Sequence, residues 1–333
     1  MPRRANATAG ESALTGHHDP LASFTRHRRL NGAIARSLYN DSDTVDVGRR
    51  IANCASVLGL DLYEEEGQGV TAELRAMRSC NARLCPFCEW RRTRAWRKRL
   101  FTGLEAFSVD HPKYVPLFLT LTVPNPPLGE LRETLKQMNQ AWNRLASSKA
   151  FPTDFWFRRT EVTVGQSSPE GPIKAHPHFH VLLLVKPSYF GKRYIKQQEW
   201  ADRWRKAMRS DVQLVVDIRR VTSKQSKGRD MSAGSSSQAS ENSAAVLEVA
   251  KYMSKATQLL EMGAALPDFH REISGARLYS VSKSLRRFIR EGLISEEEML
   301  DTNEHLAEGR VPDAVAIAEW FQDTQEYLFT SIT

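Results

Sequence analysis

No apolar stretch in this 333-residue chain approaches the ~20 residues that a membrane-spanning helix needs. The first residues lack the apolar core of a secretory signal, so the expected location is the cytoplasm. Cysteine is scarce. The four present, in a chain without a secretion signal, point to reduced thiols or a metal site rather than disulfides. Internal repeats are missing, which sets repeat architectures aside. Acid is outnumbered as well: 39 Asp+Glu against 47 Lys+Arg leave a net charge of +8 and a pI near 9.4. That balance suits an anionic partner such as nucleic acid. The length allows a sizeable core, with one main domain and smaller appendages.

What is present centres on His176-Pro177-His178-Phe179-His180, which runs into Val181-Leu182-Leu183-Leu184-Val185. The apolar run is short, is closed by Lys186-Pro187, and reads as a buried strand. Side chains alternate faces on a strand, so His178 and His180 point one way while Phe179 and Val181 point the other. Two imidazoles about 7 Å apart on one face can converge on a divalent ion. A pair of hydrogen-bonded histidines at a strand entrance is the plainer reading of the same residues.

Residues 1–48 are polar and basic, with His17, His18 and His27 scattered through them; they read as disordered, with a short helix near Leu30–Leu38. All four cysteines fall between Cys54 and Cys88. Cys80, Cys85 and Cys88 form a knuckle-like cluster, and Cys54 can supply a fourth thiolate for tetrahedral zinc; buried free thiols are the alternative. A basic run follows, in which Trp96, Leu100, Leu104 and Phe107 keep helical spacing. The other faces of that helix carry Arg91, Arg92, Arg94, Arg97, Lys98 and Arg99. With Glu89 the one acid nearby, they are candidates for contact with a phosphate backbone rather than a merely solvated face.

Pro116–Val123 is a second strand, stopped by Pro124-Asn125-Pro126-Pro127. Leu131 to Leu145 is an amphipathic helix with Leu131, Leu135, Met138, Trp142 and Leu145 on one face. Phe155–Val164 is a third strand carrying one acid, Glu161. An antiparallel connection to the histidine strand sets Glu161 near His178 and His180. Tyr194–Met208 reads as a helix and Val212–Val221 as a fourth strand ending in Arg219 and Arg220. Residues 223–244 are rich in Ser, Gly, Gln and Lys and read as a flexible insertion. Ala244–Leu260 resumes as a helix. Ser274–Arg290 is basic with an apolar stripe, and from Glu291 the chain turns acidic and is expected to be helical.

Three pieces stand in a fixed order: Phe118-Leu119-Thr120-Leu121-Thr122, His178-Phe179-His180, and Glu248-Val249-Ala250-Lys251-Tyr252-Met253-Ser254-Lys255. With the cysteine block and Trp90-Arg91, they resemble the motifs of rolling-circle plasmid replication initiators, members of the HUH endonuclease group. The resemblance covers roughly residues 50 to 290, and the insertion before Glu248 departs from it. It implies an α+β fold, an antiparallel sheet flanked by helices, with a nicking domain at 111–262. A cysteine-rich, zinc-binding, basic helical region occupies 49–110, and a basic then acidic helical region 263–333.

The chemistry that the resemblance implies is tyrosine transesterification at a plasmid origin. Tyr252 is the nucleophile, with Tyr279 the next tyrosine along the chain, and Lys255 shares its helical face. Mn²⁺ or Mg²⁺ sits on His178 and His180, with Glu161 as third ligand and His176 as the alternative; structural Zn²⁺ occupies the cysteines. Glu248, four residues before Tyr252, is either a general base that activates water or a solvated carboxylate paired with Lys251 or Lys255. The implied partners are origin DNA in single-stranded or cruciform form, host helicase and polymerase, and another copy of the chain; no membrane is involved. A single-tyrosine transposase, a relaxase and a non-catalytic zinc-knuckle regulator are the competing functions. The first two are disfavoured by the cysteine block and by a tyrosine that follows the histidines.

Overall fold

Val181 to Val185 belongs in a core, and the chain places it at the middle of an antiparallel sheet. The computed structural model describes residues 19–65, 69–166, 171–191, 193–221, 246, 256–289 and 310–333. In chain order the helices are α1 (Ala22–Leu38), α2 (Val45–Ala52), α3 (Pro86–Asp110), α4 (Leu131–Ala146), α5 (Gln197–Met208), α6 (Ala256–Glu261), α7 (Leu266–Ile273) and α8 (Lys283–Arg286). The strands are β1 (Val57–Glu65), β2 (Gly69–Met77), β3 (Val115–Thr122), β4 (Trp156–Gln166), β5 (Ile173–Val185), β6 (Val216–Arg220), β7 (Tyr279–Val281), β8 (Ala314–Phe321) and β9 (Glu326–Ile332). Two units result: residues up to Ala95 with those from Ile294 onward, and Trp96–Leu293. Each has its own sheet, so the class is α+β. No helix among the described residues is long and apolar enough to cross a membrane.

The first unit holds α1, α2 and the four-stranded sheet β2-β1-β8-β9. Disorder is not what residues 19–48 show: α1 and the start of α2 fill that stretch. The reason lies in the buried stripe of α1, where Phe24, Ile34, Ala35 and Leu38 are interleaved with buried His27, Arg28 and Asn31. Those polar residues hide a regular helical period. Each has a packing role: Asn31 Oδ1 accepts from the Phe87 amide at 3.2 Å, and Arg28 donates to the Ala52 carbonyl at 2.5 Å. Strands also replace the helix expected after Glu291, at least where the structure describes that segment. In β8 the buried Ala316 and Ala318 alternate with exposed Ile317 and Glu319, and pairing with Leu60 and Leu58 of β1 overrides the helical preference of an alanine-rich run. The two units divide the chain inside α3, after Ala95.

The second unit is a five-stranded antiparallel sheet in the order β6-β3-β5-β4-β7. One face is covered by α4 and α5. Leu131, Leu135, Met138, Trp142 and Leu145 are the buried stripe of α4, as their spacing requires. Trp204 of α5 packs on Phe179 at a ring distance of 6.2 Å. Burying side chains of this size contributes about 1.5–3 kcal/mol each. On the other face, Trp96 from α3 lies against Phe157 and Tyr279. Leu100, Leu104 and Phe107 continue that buried stripe. Gly103 sits on the helix interior at a cost of about 1 kcal/mol relative to alanine; a Cβ there would collide with Ile289, so the glycine permits the close approach.

His27 makes the first unit sensitive to acid. Its ring stacks on Trp90 at 4.6 Å, and neither nitrogen has a hydrogen-bond partner among the described residues. Burial first, then the charges of Arg26 and Arg94, lowers its pKa from 6.5 to about 4. The unfolded chain therefore takes up a proton at a pH where the folded chain refuses it, and stability is lost as pH falls from 6.5 towards 4. The shift is worth about 3 kcal/mol. His27→Phe keeps the stack and removes the titration. Thermal unfolding at pH 7 and pH 5 should show a smaller drop in midpoint for His27→Phe than for wild type; equal drops would remove His27 as the cause.

Candidate metal centres and the histidine face

β5 lies between β3 and β4, and the register decides what meets what. Thr120 and Arg159 flank His180, while Thr122 and Glu161 flank His178. Glu161 Oε2 stands 2.7 Å from His180 Nε2, and the two rings are 6.0 Å apart at their centroids. Among the described residues, Glu161, His178 and His180 form one of two groups whose ligand atoms lie close enough to share a metal ion, all within 4.8 Å of one another. Glu161 and His180 are buried, whereas His178 is half-buried at the open side. Two imidazoles and a carboxylate suit a first-row divalent ion. His176 stays outside this group; its ring faces Gly165, two residues beyond its own cross-strand partner Thr163.

The ring of His180 is held on three sides. Phe118 stacks on it at 5.6 Å and 17°, Thr120 Oγ1 stands 3.3 Å from Nδ1, and Glu161 meets Nε2. Behind the histidines, on the opposite face, the guanidinium of Arg158 lies 4.0 Å from the ring centroid of Phe179 and donates to Asn139 Oδ1 at 2.5 Å. Burial, and then Arg277, lowers the pKa of Arg158 to about 9. This contact ties β4 and α4 to the strand that carries both histidines.

The same parity brings further polar groups to the histidine face that sequence reading did not single out as site residues. Arg159 is two residues from Glu161, nearly buried, and donates to the Tyr279 hydroxyl. Arg219 lies over the Phe118 ring at 5.5 Å. Period-two alternation from Glu161 was enough to find Arg159; Tyr279 and Arg219 required knowledge of the strand order.

The four cysteines form the second group. Cys54 follows α2, Cys80 follows β2, and Cys85 and Cys88 bracket the start of α3. Cys88 Sγ is 3.5 Å from Cys54 Sγ and 3.7 Å from Cys80 Sγ. Tetrahedral zinc with bonds of about 2.3 Å places its sulfurs about 3.8 Å apart, so the spacing matches a metal cage and not a disulfide. Hydrogen bonds from Cys54, Cys80 and Cys85 hold the Cys88 thiol far below the ordinary range. Asn81, in the left-handed region at φ 52°, turns the chain between Cys80 and α3.

The basic run does not form one solvated band. Arg91 is fully buried and donates to Met77 Sδ at 2.9 Å, so it is withdrawn from any phosphate contact; its place on α3 faces the core. Arg92 pairs with Glu89 at 2.6 Å. Arg94 and Arg99 lie over Trp90 and Trp96. Arg97 is half-buried, and Lys98 is exposed. Glu248, Tyr252 and Lys255, the insertion at 223–244 and most of the expected helix Ala244–Leu260 lie outside the described residues; Val246 and α6 are helical.

Residues 71–328 match the family model described as replication protein. Curated relatives named Protein rep include one from Bacillus amyloliquefaciens, 33% identical over 81% of this chain and 76% of its own. Another, from Lentilactobacillus hilgardii, is 28% identical over 84% and 86%, and one from a Bacillus species is 34% identical over 63% and 67%. No solved structure matches the chain. A match over most of the chain, with relatives covered over two thirds or more of their length, establishes that this protein belongs to the replication protein family, as a plasmid replication initiator.

Proposed function

We propose that this initiator opens rolling-circle replication by nicking one strand of its plasmid origin through a tyrosine of the HUH type. The observation that carries the reading is the convergence of Glu161, His178 and His180 on one face of the central sheet. Supporting it are the three motifs in order and the family to which the chain belongs. Tyr252 supplies the nucleophilic oxygen. A phenol has an ordinary pKa of about 10, so it attacks at neutral pH only where positive charge stabilises the phenolate. Lys255, three residues on in the sequence, supplies part of that charge. The tyrosine oxygen bonds to phosphorus, the bond to the 3′ oxygen breaks, and that oxygen leaves as a hydroxyl which a polymerase extends; the 5′ phosphate stays on the tyrosine. Mn²⁺ or Mg²⁺, when bound by His178, His180 and Glu161, supplies Lewis-acid polarisation of the scissile phosphate.

Termination is assigned to Glu248. As general base it removes a proton from water, which attacks the phosphotyrosine and frees the DNA. The cysteine cage holds structural zinc, and Arg92, Arg94, Arg97, Lys98 and Arg99 contribute to origin binding. The protein acts in the cytoplasm with host helicase and polymerase, on single-stranded or cruciform origin DNA, and self-associates there.

Nicking of a supercoiled plasmid bearing the cognate origin tests the central step. Wild type with Mn²⁺ should convert it to open circles, and His178→Ala or Glu161→Gln should slow the reaction by orders of magnitude; undiminished nicking by either variant would overturn the assignment. Glu248→Ala should still nick and join but accumulate covalent adduct, because general-base catalysis is typically worth ~10²–10⁴-fold. Equal free-product fractions in single-turnover reactions would leave Glu248 without a role in release. Elemental analysis should find about one zinc per chain, reduced in Cys85→Ser; zinc-free native protein would refute the cage.

A further inference from the structure

The first motif, Phe118 to Thr122, has no part in the chemistry above, yet it pairs with the histidine strand, Thr120 opposite His180 and Thr122 opposite His178. We infer that the hydroxyl of Thr120 is the positioning group that keeps Nε2 of His180 turned toward the ion site in either tautomer. This rests on the proposed ion at Glu161, His178 and His180.

An imidazole that binds an ion through one nitrogen carries its proton on the other, and the partner of that other nitrogen fixes ring and tautomer. In His180 the nitrogen facing Glu161 is Nε2, at 2.7 Å, and the nitrogen facing Thr120 Oγ1 is Nδ1, at 3.3 Å. Without an ion, Nε2–H donates to the Glu161 carboxylate and Nδ1 accepts from the threonine hydroxyl. If Nε2 held an ion, the ring would carry its proton on Nδ1, and the threonine hydroxyl would accept a hydrogen bond from Nδ1–H. A hydroxyl both donates and accepts, so it serves either form without losing its hydrogen bond. A carboxylate would serve only the second form, and an ammonium only the first.

Three features make this a fixed arrangement. Thr120 is directly opposite His180 in the ladder, so the two side chains rise together on one face. Its β-branched side chain has few rotamers. Phe118, two residues back on the same face, stacks on the imidazole and sets its plane. The ring can neither tilt nor flip without breaking one of these contacts.

The test is equilibrium Mn²⁺ binding to the full-length, zinc-loaded protein, read from free Mn²⁺ by electron paramagnetic resonance. Thr120→Val keeps the shape and suits a strand, but lacks the hydroxyl. It should bind Mn²⁺ about 10–100-fold more weakly, the range for loss of an outer-shell partner. Thr120→Ser should restore binding to within a few-fold. Proton–nitrogen spectra of the Mg²⁺-loaded protein should show His180 protonated at Nδ1 in wild type and in Thr120→Ser. Equal affinities for wild type and Thr120→Val would overturn the inference while leaving the metal site standing. If wild type bound no Mn²⁺ that His178→Ala abolishes, the site itself would fall, and the inference with it.

Discussion

The register of β5 between β3 and β4 is the constraint on which the candidate metal site depends. Side chains alternate with a period of two, so a slip of one residue would turn His178 and His180 to the face covered by α4 and α5 and bring Phe179 to the site. The slip is prevented from the back of the sheet. Phe179 is buried against Trp204 and under the guanidinium of Arg158, and Val181 to Val185 have no exposed alternative. Apolar packing on one face thereby fixes polar geometry on the other. Glu161 gains its place in the same way, as the cross-strand partner of His178.

Much of this was legible before the structure. The strand, its alternation, the stripe of α4 and the approach of Glu161 to the histidines follow from period and connection length alone, because apolar residues there mark one face cleanly. The failures share a physical cause. In α1, His27, Arg28 and Asn31 occupy buried positions, so composition suggested a largely unstructured tail with a short helix near Leu30–Leu38, where the helix runs from Ala22 to Leu38. In β8, alanines that favour a helix in isolation are small residues fitted against β1. Arg91 belongs to a basic run but faces inward, since a charge count along a helix does not say which face is covered. Asn31 and Thr120 illustrate a further limit: each matters through what it touches from a distant part of the chain.

The cysteine unit is arranged on comparable lines. Two sequence-distant turns, after α2 and after β2, deliver Cys54 and Cys80 to the first turn of α3, where Cys85 and Cys88 stand one helical turn apart. Asn31 joins α1 to that turn by accepting from the Phe87 amide and the Cys85 thiol. A metal there would tie together segments that local propensity leaves independent, which is how small sites contribute folding energy.

The central claim is that Tyr252 forms a covalent bond to the nicked strand. Its most direct test is peptide mapping of the adduct trapped when the protein is incubated with Mn²⁺ and a single-stranded origin oligonucleotide. The predicted result is a 5′-phosphonucleotide on the peptide containing Tyr252, absent when a chelator is added. An adduct on Tyr279, or cleavage with no protein–DNA bond at all, would contradict it.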